Sequence, residues 1–149
     1  MYSHILLPTD GSKLSDKAAK QAIGFAKEAG AKLTAMNVLG EYHLRLQDEG
    51  FVMPEIPALR KRFDEAEAAR AKKILDAVKK SAVEAGVECD IVTPTGDSPY
   101  DAIIKQAKKC KCDLIIMASH GRRGLQGMLL GSETLKVLTH STIPVLVCR

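Results

Sequence analysis

The fold class is decided by one stretch of the chain, Leu114-Ile115-Ile116-Met117-Ala118, together with the glycine-rich segment 119–132 that follows it. Five apolar residues in a row are typical of a central parallel strand, because such a strand is buried on both faces. Apolar residues then recur with helical spacing from Glu133 to His140. A buried strand, a glycine-rich loop and a helix in this order predict one unit of an α/β sheet.

The same alternation extends outward from this stretch in both directions. Strands are predicted at residues 5–7, 32–38, 87–94 and 143–148, and helices after Ser12, over residues 58–85 and after Asp97 or Ser98. Five strands alternating with four helices predict one domain over residues 1–149, an open parallel sheet with helices on both faces. The ligand site of such a sheet is expected beyond the carboxyl ends of the strands.

Residues 39–57 are the least regular part of the sequence, with glycine or proline at positions 40, 50, 54 and 57. A loop of this length in a compact domain is predicted to be a lid or a packing loop. The long helix after it carries an apolar stripe: Leu59, Phe63, Ala66, Ile74, Leu75, Val78 and Ala82. Charged residues, including Glu67, lie opposite this stripe and predict a solvated face.

Composition excludes several classes of protein. The chain is 46% apolar and 27% charged, which excludes disordered and collagen-like proteins. The net charge is only +4 and aromatic residues make up 4%, so we expect no nucleic-acid partner. No apolar run reaches the roughly 20 residues of a membrane-spanning helix, and the first residues lack a secretory signal. We therefore expect a cytoplasmic protein with no membrane partner, whose four cysteines are free thiols.

The glycine-rich segment has the physical properties of a phosphate cradle. Its four glycines let backbone N–H groups turn toward an anion, and Gly131 and Ser132 fall at the start of the last predicted helix. The hydroxyl of Thr134 and the charges of Arg122 and Arg123 add further donors. The spacing matches neither the P-loop nor the dinucleotide fingerprint. The residues alone leave two interpretations open, an anion site or a flexible loop in which Ser132 caps the helix.

Three motifs resemble the universal stress protein family, and the resemblance covers the whole chain. Residues 5–12, Ile-Leu-Leu-Pro-Thr-Asp-Gly-Ser, resemble the first strand of the family and the loop after it, and residues 143–147 resemble its last strand. The ATP-binding branch carries Gly-x2-Gly-x9-Gly-Ser/Thr, which Gly121 and Gly131-Ser132 match, while Ala118 replaces the first glycine. The resemblance implies the strand order 3-2-1-4-5 and a nucleotide-binding function.

The resemblance also implies a nucleotide site, in which Asp10 holds the ribose hydroxyls and the backbone of Val38 reads the adenine edge. The full set is Pro8, Thr9, Asp10, Val38, Met117, Ala118, His120, Gly121, Arg122, Gly131, Ser132, Glu133 and Thr134. Other interpretations stay open: Asp10 as a helix-start cap, Val38 as a core residue and His120 as a solvent-facing side chain. Glycine at position 118 would permit a positive φ and a close approach by the ribose or α-phosphate, and alanine adds one methyl group.

The ligand implied by the resemblance is ATP, with ADP and AMP equally open, because a glycine loop reads phosphate by position alone. Mg2+ or Mn2+ would be held mainly by the nucleotide phosphates, and no catalytic set of residues is visible in the sequence. The resemblance further implies a homodimer formed through the C-terminal strand, from Ile143 to Cys148.

Three functions remain open at this point. The first is a nucleotide-binding stress-response module with little or no catalysis, in which nucleotide orders residues 119–130 and a regulatory protein partner is engaged. The second is a dimeric interaction protein that does not bind ATP, which Ala118 favours and Gly121 and Gly131 disfavour. The third is an enzyme that hydrolyses ATP slowly or acts on adenylated substrates, which the lack of a catalytic set disfavours.

Overall fold

The computed structural model describes residues 1–41, 57–122, 124 and 130–149. Strands and helices alternate along it: β1 (His4–Pro8), α1 (Lys13–Ala29), β2 (Lys32–Met36), α2 (Pro57–Glu84), β3 (Cys89–Val92), α3 (Pro99–Lys109), β4 (Leu114–Ala118), α4 (Ser132–His140) and β5 (Val145–Cys148). These strands form a parallel sheet in the order β3-β2-β1-β4-β5. The predicted α/β class, open parallel sheet and strand order are confirmed.

Helices cover both faces of the sheet, as predicted. Ile5 and Leu7 of β1 belong to a core cluster with residues of α1 and α2, whereas Leu6 belongs to a cluster with residues of α3 and α4. This alternation follows from the two-residue period of a strand. All residues of β4 are buried, which confirms the prediction of a strand buried on both faces.

The crevice of the sheet lies next to β1. This strand pairs with β2 on one side and with β4 on the other. The direction in which successive strands are added therefore reverses between β1 and β4. The loops that follow these two strands flank the crevice at the carboxyl edge, which is where ligands bind in open α/β sheets.

Local sequence signals set several helix ends. Ser12 caps α1 through its side chain, and Gly30 ends this helix in the left-handed region with φ of 64°. Ser98 stands at the N-cap of α3, but its side chain makes no capping hydrogen bond within the described residues. Gly131, and not Ser132, is the N-cap of α4. The interpretation of Ser132 as the cap is therefore wrong.

Three strands are shorter than predicted. The ladder between β2 and β3 ends where Met36 pairs with Val92, and β5 covers only Val145–Cys148. Beyond the ladder, the Asn37 N–H still donates to the carbonyl of Val92 at 3.2 Å, and Leu39 forms an isolated bridge. The residue pattern of a strand therefore continues past the point where regular pairing stops. For this reason the pattern alone overestimates the length of these strands.

The predicted apolar stripe of α2 is fully buried only in the second half of the helix, and Phe63 in the first half is half-buried. Leu75, Val78 and Ala82 are buried, but Leu59 is 44% exposed and Ala66 is exposed as well. The helix has 28 residues, which at 1.5 Å per residue is about 42 Å. A strand of five residues is only about 17 Å long. The first half of α2 therefore extends past the carboxyl edge, where the sheet offers no apolar face.

Some predictions fall outside the described residues. Residues 42–56, which are most of the predicted loop 39–57, belong to this group, as do residues 123 and 125–129 of the glycine-rich segment. The lid or packing loop stays a prediction. Among the helices that the structure describes, none combines the length and the apolar character needed to cross a membrane.

Candidate functional site

Asp10 follows β1 and joins the start of α1 to the glycine-rich segment. Its Oδ1 accepts hydrogen bonds from the Ser12 N–H and the Ser15 hydroxyl, each at 2.9 Å. Its Oδ2 accepts a hydrogen bond from the Arg122 N–H, also at 2.9 Å. Burial raises the pKa of Asp10, but these hydrogen bonds outweigh burial and hold the pKa below its ordinary value of 3.8. Asp10 is therefore an anion at neutral pH that accepts hydrogen bonds from the start of α1 and from the glycine-rich segment.

Thr9 and Asn37 tie the ends of β1 and β2 together. The Thr9 N–H donates to the carbonyl of Met36 at 2.9 Å, and Asn37 Nδ2 donates to the carbonyl of Thr9 at 2.8 Å. Both side chains are buried. Asn37 Oδ1 is buried without a hydrogen-bond partner in the part of the chain that the structure describes. An unpaired buried acceptor is costly, so this oxygen is open to a donor from water or a ligand.

Gly121 lies directly against the carboxylate of Asp10. A Cβ placed on Gly121 would be 2.5 Å from Asp10 Oδ2, so the Asp10 carboxylate or the segment would have to shift. Glycine is therefore what allows the segment to approach this close. The segment is also held by hydrogen bonds from the Gly124 N–H to the carbonyl of Gly121 at 3.0 Å and from the Gly131 N–H to the carbonyl of Ser119 at 2.7 Å.

The first turn of α4 begins where the glycine-rich segment ends. Gly131, at the N-cap, has no side chain with which to cap the first N–H groups of the helix, and Ser132 beside it is exposed. Free N–H groups and the positive end of the helix dipole attract anions. The turn therefore has the chemistry of an anion site, and its N-cap glycine belongs to the same segment that contacts Asp10.

The side chains of two predicted site residues in this turn, Glu133 and Thr134, bind other parts of the protein. Glu133 Oε2 accepts a hydrogen bond from the Tyr100 N–H at 2.9 Å, and Oε1 accepts one from Lys136 at 3.2 Å. The hydroxyl of Thr134 donates to the carbonyl of Ala118 at 3.1 Å. These side chains hold α4 against α3 and β4, so any contact of Glu133 or Thr134 with a ligand would be made by their backbone.

Ala118 is the last residue of β4 and pairs with Cys148 of β5. It is 8% exposed and belongs to the core cluster on the α1 side of the sheet. Within the described ranges, Lys111 is the single non-glycine residue with a positive φ, so position 118 has ordinary strand backbone. Alanine therefore fits this position without strain, and its methyl group packs in the core.

Pro8, Val38 and Met117 lie at the carboxyl edge of three neighbouring strands. Met117 is buried in the core cluster on the α3 side, and Val38 is half-buried against the same cluster. The side chain of Val38 therefore lies at the margin of the core and is not fully buried in it. The backbone of Val38 lies beyond the regular ladder of β2. A ligand at this position would therefore contact the backbone and not the side chain.

His120 is half-buried at the start of the glycine-rich segment and does not face solvent freely. Its Nδ1 lies 3.2 Å from the hydroxyl of Ser119. A Cβ placed on Gly131 would be 3.0 Å from the Cβ of His120. The Cβ of His120 therefore lies beside the start of α4, whereas its imidazole lies against Gly124.

Comparison with known proteins decides the family. The family model described as "Universal stress protein family" matches residues 1–149. The chain belongs to this family. Universal stress protein MJ0531 of Methanocaldococcus jannaschii is 37% identical over 100% of this chain and 83% of its own length. Universal stress protein YxiE of Bacillus subtilis is 35% identical over 100% of both chains.

Solved structures of universal stress proteins share the fold. Universal stress protein UspA from Lactobacillus plantarum has a TM-score of 0.84 and 25% identity, covering 99% of this chain and 98% of that one. A universal stress protein solved in complex with cAMP has a TM-score of 0.71 and 25% identity, covering 99% of this chain and 97% of that one. Both matches span the complete sheet and its helices.

The sequence pattern missed two charged residues of this universal stress protein that lie near the crevice, Glu67 and Arg70. Glu67 Oε2 accepts a hydrogen bond from the Gly40 N–H at 3.4 Å and pairs with Arg70 at 3.1 Å. The side chain of Glu67 is only 22% exposed, so the prediction of a solvated face is wrong at this residue. The length of the predicted helix could have indicated their position. A helix that is much longer than the strands extends past the carboxyl edge of the sheet, where the site is expected.

The described residues of this universal stress protein contain no group of three or more His, Cys, Asp or Glu side chains able to hold a metal ion. The four cysteines are free thiols, as predicted.

Proposed function

We propose that this universal stress protein belongs to the ATP-binding branch and acts as a nucleotide-dependent stress-response module with little or no catalysis. The observation that carries the proposal is the 2.9 Å hydrogen bond from the Arg122 N–H to Asp10. It brings a carboxylate that can accept ribose hydroxyls next to the segment that supplies phosphate-binding N–H groups. A ligand with both groups, joined as in a nucleotide, fits this juxtaposition.

Each part of the ligand would have its own contacts. Asp10 would accept hydrogen bonds from the ribose hydroxyls, and the backbone of Val38 would read the adenine edge. Gly121, Gly131 and Ser132 would surround the phosphates, with Arg122 and His120 nearby. The absence of a Cβ at Gly121, where it would be 2.5 Å from Asp10 Oδ2, supports the proposal because it lets the segment lie directly beside the carboxylate. The cAMP complex of a related protein supports an adenine nucleotide as the ligand class.

Ala118 is compatible with this proposal. Its methyl group is buried in the core cluster on the α1 side, and its carbonyl already accepts the Thr134 hydroxyl. The change from the glycine of the family motif therefore adds volume within the core. ATP, ADP and AMP share the contacts proposed above, and Mg2+ or Mn2+ would be carried mainly by the phosphates of the bound nucleotide.

We also propose that the protein is a cytoplasmic homodimer that engages a regulatory protein partner. In the sheet order, β5 stands at one edge, and Leu146 at its centre is 41% exposed. An apolar edge strand is a liability unless another chain covers it. A second copy that pairs along Ile143 to Cys148 would cover this edge.

The test begins with the purified protein. It is denatured without added nucleotide, and the released small molecules are identified by chromatography and mass. Calorimetric titration with ATP and Mg2+ follows, for the wild type, for Gly131→Val and for the matched control Gly24→Val. Valine at position 131 would collide with His120, whereas no atom lies within 4 Å of a Cβ at Gly24. The expected result is binding near one nucleotide per chain that only Gly131→Val abolishes. A folded wild-type protein that releases and binds none overturns the proposal and favours the dimeric interaction protein.

A further inference from the structure

The hydroxyl of Ser15 lies at the centre of a polar network beside the carboxylate of Asp10. Ser15 stands in the first turn of α1 and is only 3% exposed. Its Oγ accepts hydrogen bonds from the hydroxyls of Thr9 at 3.1 Å and Ser12 at 3.2 Å. It also lies 2.9 Å from Asp10 Oδ1 and 3.0 Å from the carbonyl oxygen of Ser12. A hydroxyl accepts two hydrogen bonds and donates one, so the single hydrogen of Ser15 serves one of these two acceptors.

The carboxylate of Asp10 is the stronger of the two acceptors. It is charged, and a hydrogen bond to a charged group is shorter and stronger than one to a neutral group. The carbonyl of Ser12 is neutral and already accepts the Asp16 N–H at 2.9 Å. The hydrogen of the Ser15 hydroxyl therefore points to Asp10 Oδ1.

Capping of α1 does not account for the hydroxyl of Ser15. The Ser15 N–H is already capped by the hydroxyl of Ser12 at 3.2 Å. A residue three positions after the N-cap can return its side chain to the N–H of the N-cap residue, but the Ser12 N–H donates to Asp10 Oδ1 instead. The hydroxyl of Ser15 is therefore committed to the carboxylate of Asp10 and not to the backbone of the helix.

The two oxygens of the Asp10 carboxylate are used differently. Oδ1 accepts both hydrogen bonds from the start of α1, one from the Ser12 N–H and one from the Ser15 hydroxyl. Oδ2 accepts the Arg122 N–H, and a carboxylate oxygen has room for two such bonds. Oδ2 is therefore the oxygen that a ligand can share, and the two bonds to Oδ1 fix the direction in which Oδ2 points.

We propose that Ser15 is a positioning residue that holds Asp10 Oδ2 toward the ribose hydroxyls of a bound nucleotide. This inference rests on the proposed function. Ser15 is buried, so it acts on the ligand through Asp10 and not by direct contact. Without the Ser15 hydroxyl, Oδ1 keeps only its bond from the Ser12 N–H, and the carboxylate can turn about its Cβ–Cγ bond. Loss of this hydroxyl should therefore weaken the binding only of ligands that carry ribose hydroxyls.

The test is calorimetric titration with ATP and with dideoxy-ATP, whose ribose lacks both hydroxyls, for the wild type, Ser15→Ala and Thr34→Val. Thr34 is the matched control, because its hydroxyl is also buried and lies 2.8 Å from Nε2 of His4, at the opposite end of β1 from Asp10. In Ser15→Ala we expect ATP to bind about fivefold more weakly, as for the loss of one hydrogen bond of ordinary strength. Dideoxy-ATP should bind equally to Ser15→Ala and the wild type, and Thr34→Val should match the wild type for both ligands.

Two results would overturn this inference. One is an unchanged affinity of Ser15→Ala for ATP, and the other is an equal loss for dideoxy-ATP, which a merely structural role would produce. A wild type that binds neither ligand overturns the proposed function instead. In that case NMR titration of the Asp10 carboxyl in the ligand-free protein still decides whether Ser15 holds it. The pKa of Asp10 should be higher in Ser15→Ala than in Thr34→Val, because a donor to the charged form is lost, and equal pKa values would reject the hold of Ser15 on Asp10.

Discussion

Asp10 and Arg122 are 112 residues apart in the chain, and the Arg122 N–H donates a 2.9 Å hydrogen bond to Asp10 Oδ2. The bond joins the loop that follows β1 to the loop that follows β4. A ligand that uses Asp10 must therefore share its carboxylate with the glycine-rich segment or displace that segment from it. Under the proposed function, ligand binding at Asp10 would therefore be coupled to the position of Gly121 and Arg122.

Replacement of Gly121 by alanine should disturb this contact first. The new Cβ would lie 2.5 Å from Asp10 Oδ2, so either the segment moves away from Asp10 or the carboxylate gives up its hydrogen bonds to Ser12 and Ser15. We expect a loss of about 1–3 kcal/mol in the free energy of unfolding, measured by urea denaturation, and at least tenfold weaker ATP binding if the proposed function holds. The control is Gly96→Ala, where no atom lies within 4 Å of the added Cβ. In an Asp10→Ala background, Gly121→Ala should cost much less, and an equal cost in both backgrounds would contradict this explanation.

Asp10 should contribute to the pH dependence of stability. Its pKa in the folded protein is lowered from the ordinary value of 3.8, so the unfolded chain binds this proton at higher pH than the folded one does. The contribution of Asp10 is therefore fully present above 3.8 and is lost as the pH falls through the lowered pKa of the folded protein. This contribution is measured as the difference in the free energy of unfolding between the wild type and Asp10→Asn, by urea denaturation at several acidic pH values. The wild-type advantage should shrink as the pH falls, and a constant difference would show that Asp10 does not titrate as described.

Thr134→Val should destabilise α4 at its junction with β4. The hydroxyl of Thr134 is buried and donates to the carbonyl of Ala118 at 3.1 Å. Valine keeps the shape but removes this buried hydrogen bond, so we expect a loss of about 1–2 kcal/mol in the free energy of unfolding. Thr139→Val is the matched control in the same helix, because the Thr139 hydroxyl bonds to a carbonyl at an exposed position. Equal losses in the two variants would show that burial of the Thr134 bond is unimportant.

Leu146→Lys should separate the proposed dimer into monomers. A charge at the centre of β5 would be buried where a second copy covers this edge, and its desolvation would oppose pairing. The mass in solution is measured by analytical ultracentrifugation. Val83→Lys is the control, since Val83 is 61% exposed on α2, away from this edge. A wild type that is already monomeric at high concentration, or a Leu146→Lys variant that remains dimeric, would contradict the proposed interface.

Much of the fold follows from signals that act over a few residues. The unbroken apolar run from Leu114 to Ala118 predicts a strand buried on both faces, because only the interior of a parallel sheet offers two apolar surfaces. Ser12 and Gly30 mark the ends of α1, because a capping hydroxyl and a left-handed backbone are local requirements of a helix. The same kind of signal overestimates the length of β2, because pairing with neighbouring strands decides where a ladder ends. It also places the N-cap of α4 one residue too late, at Ser132.

The sequence by itself determined the alternation of strands and helices, the buried nature of β4 and the position of the glycine-rich segment before α4. These features depend on periodicity and on the conformations that single residues permit. Only the tertiary structure decided that Asp10 meets Gly121 and Arg122, that Glu67 leaves the solvated face of α2 to bind Gly40, and that the methyl of Ala118 packs in the core. The physical reason is that these relationships join residues distant in the chain, and their distances are set by how the sheet is ordered and how far α2 extends past its edge.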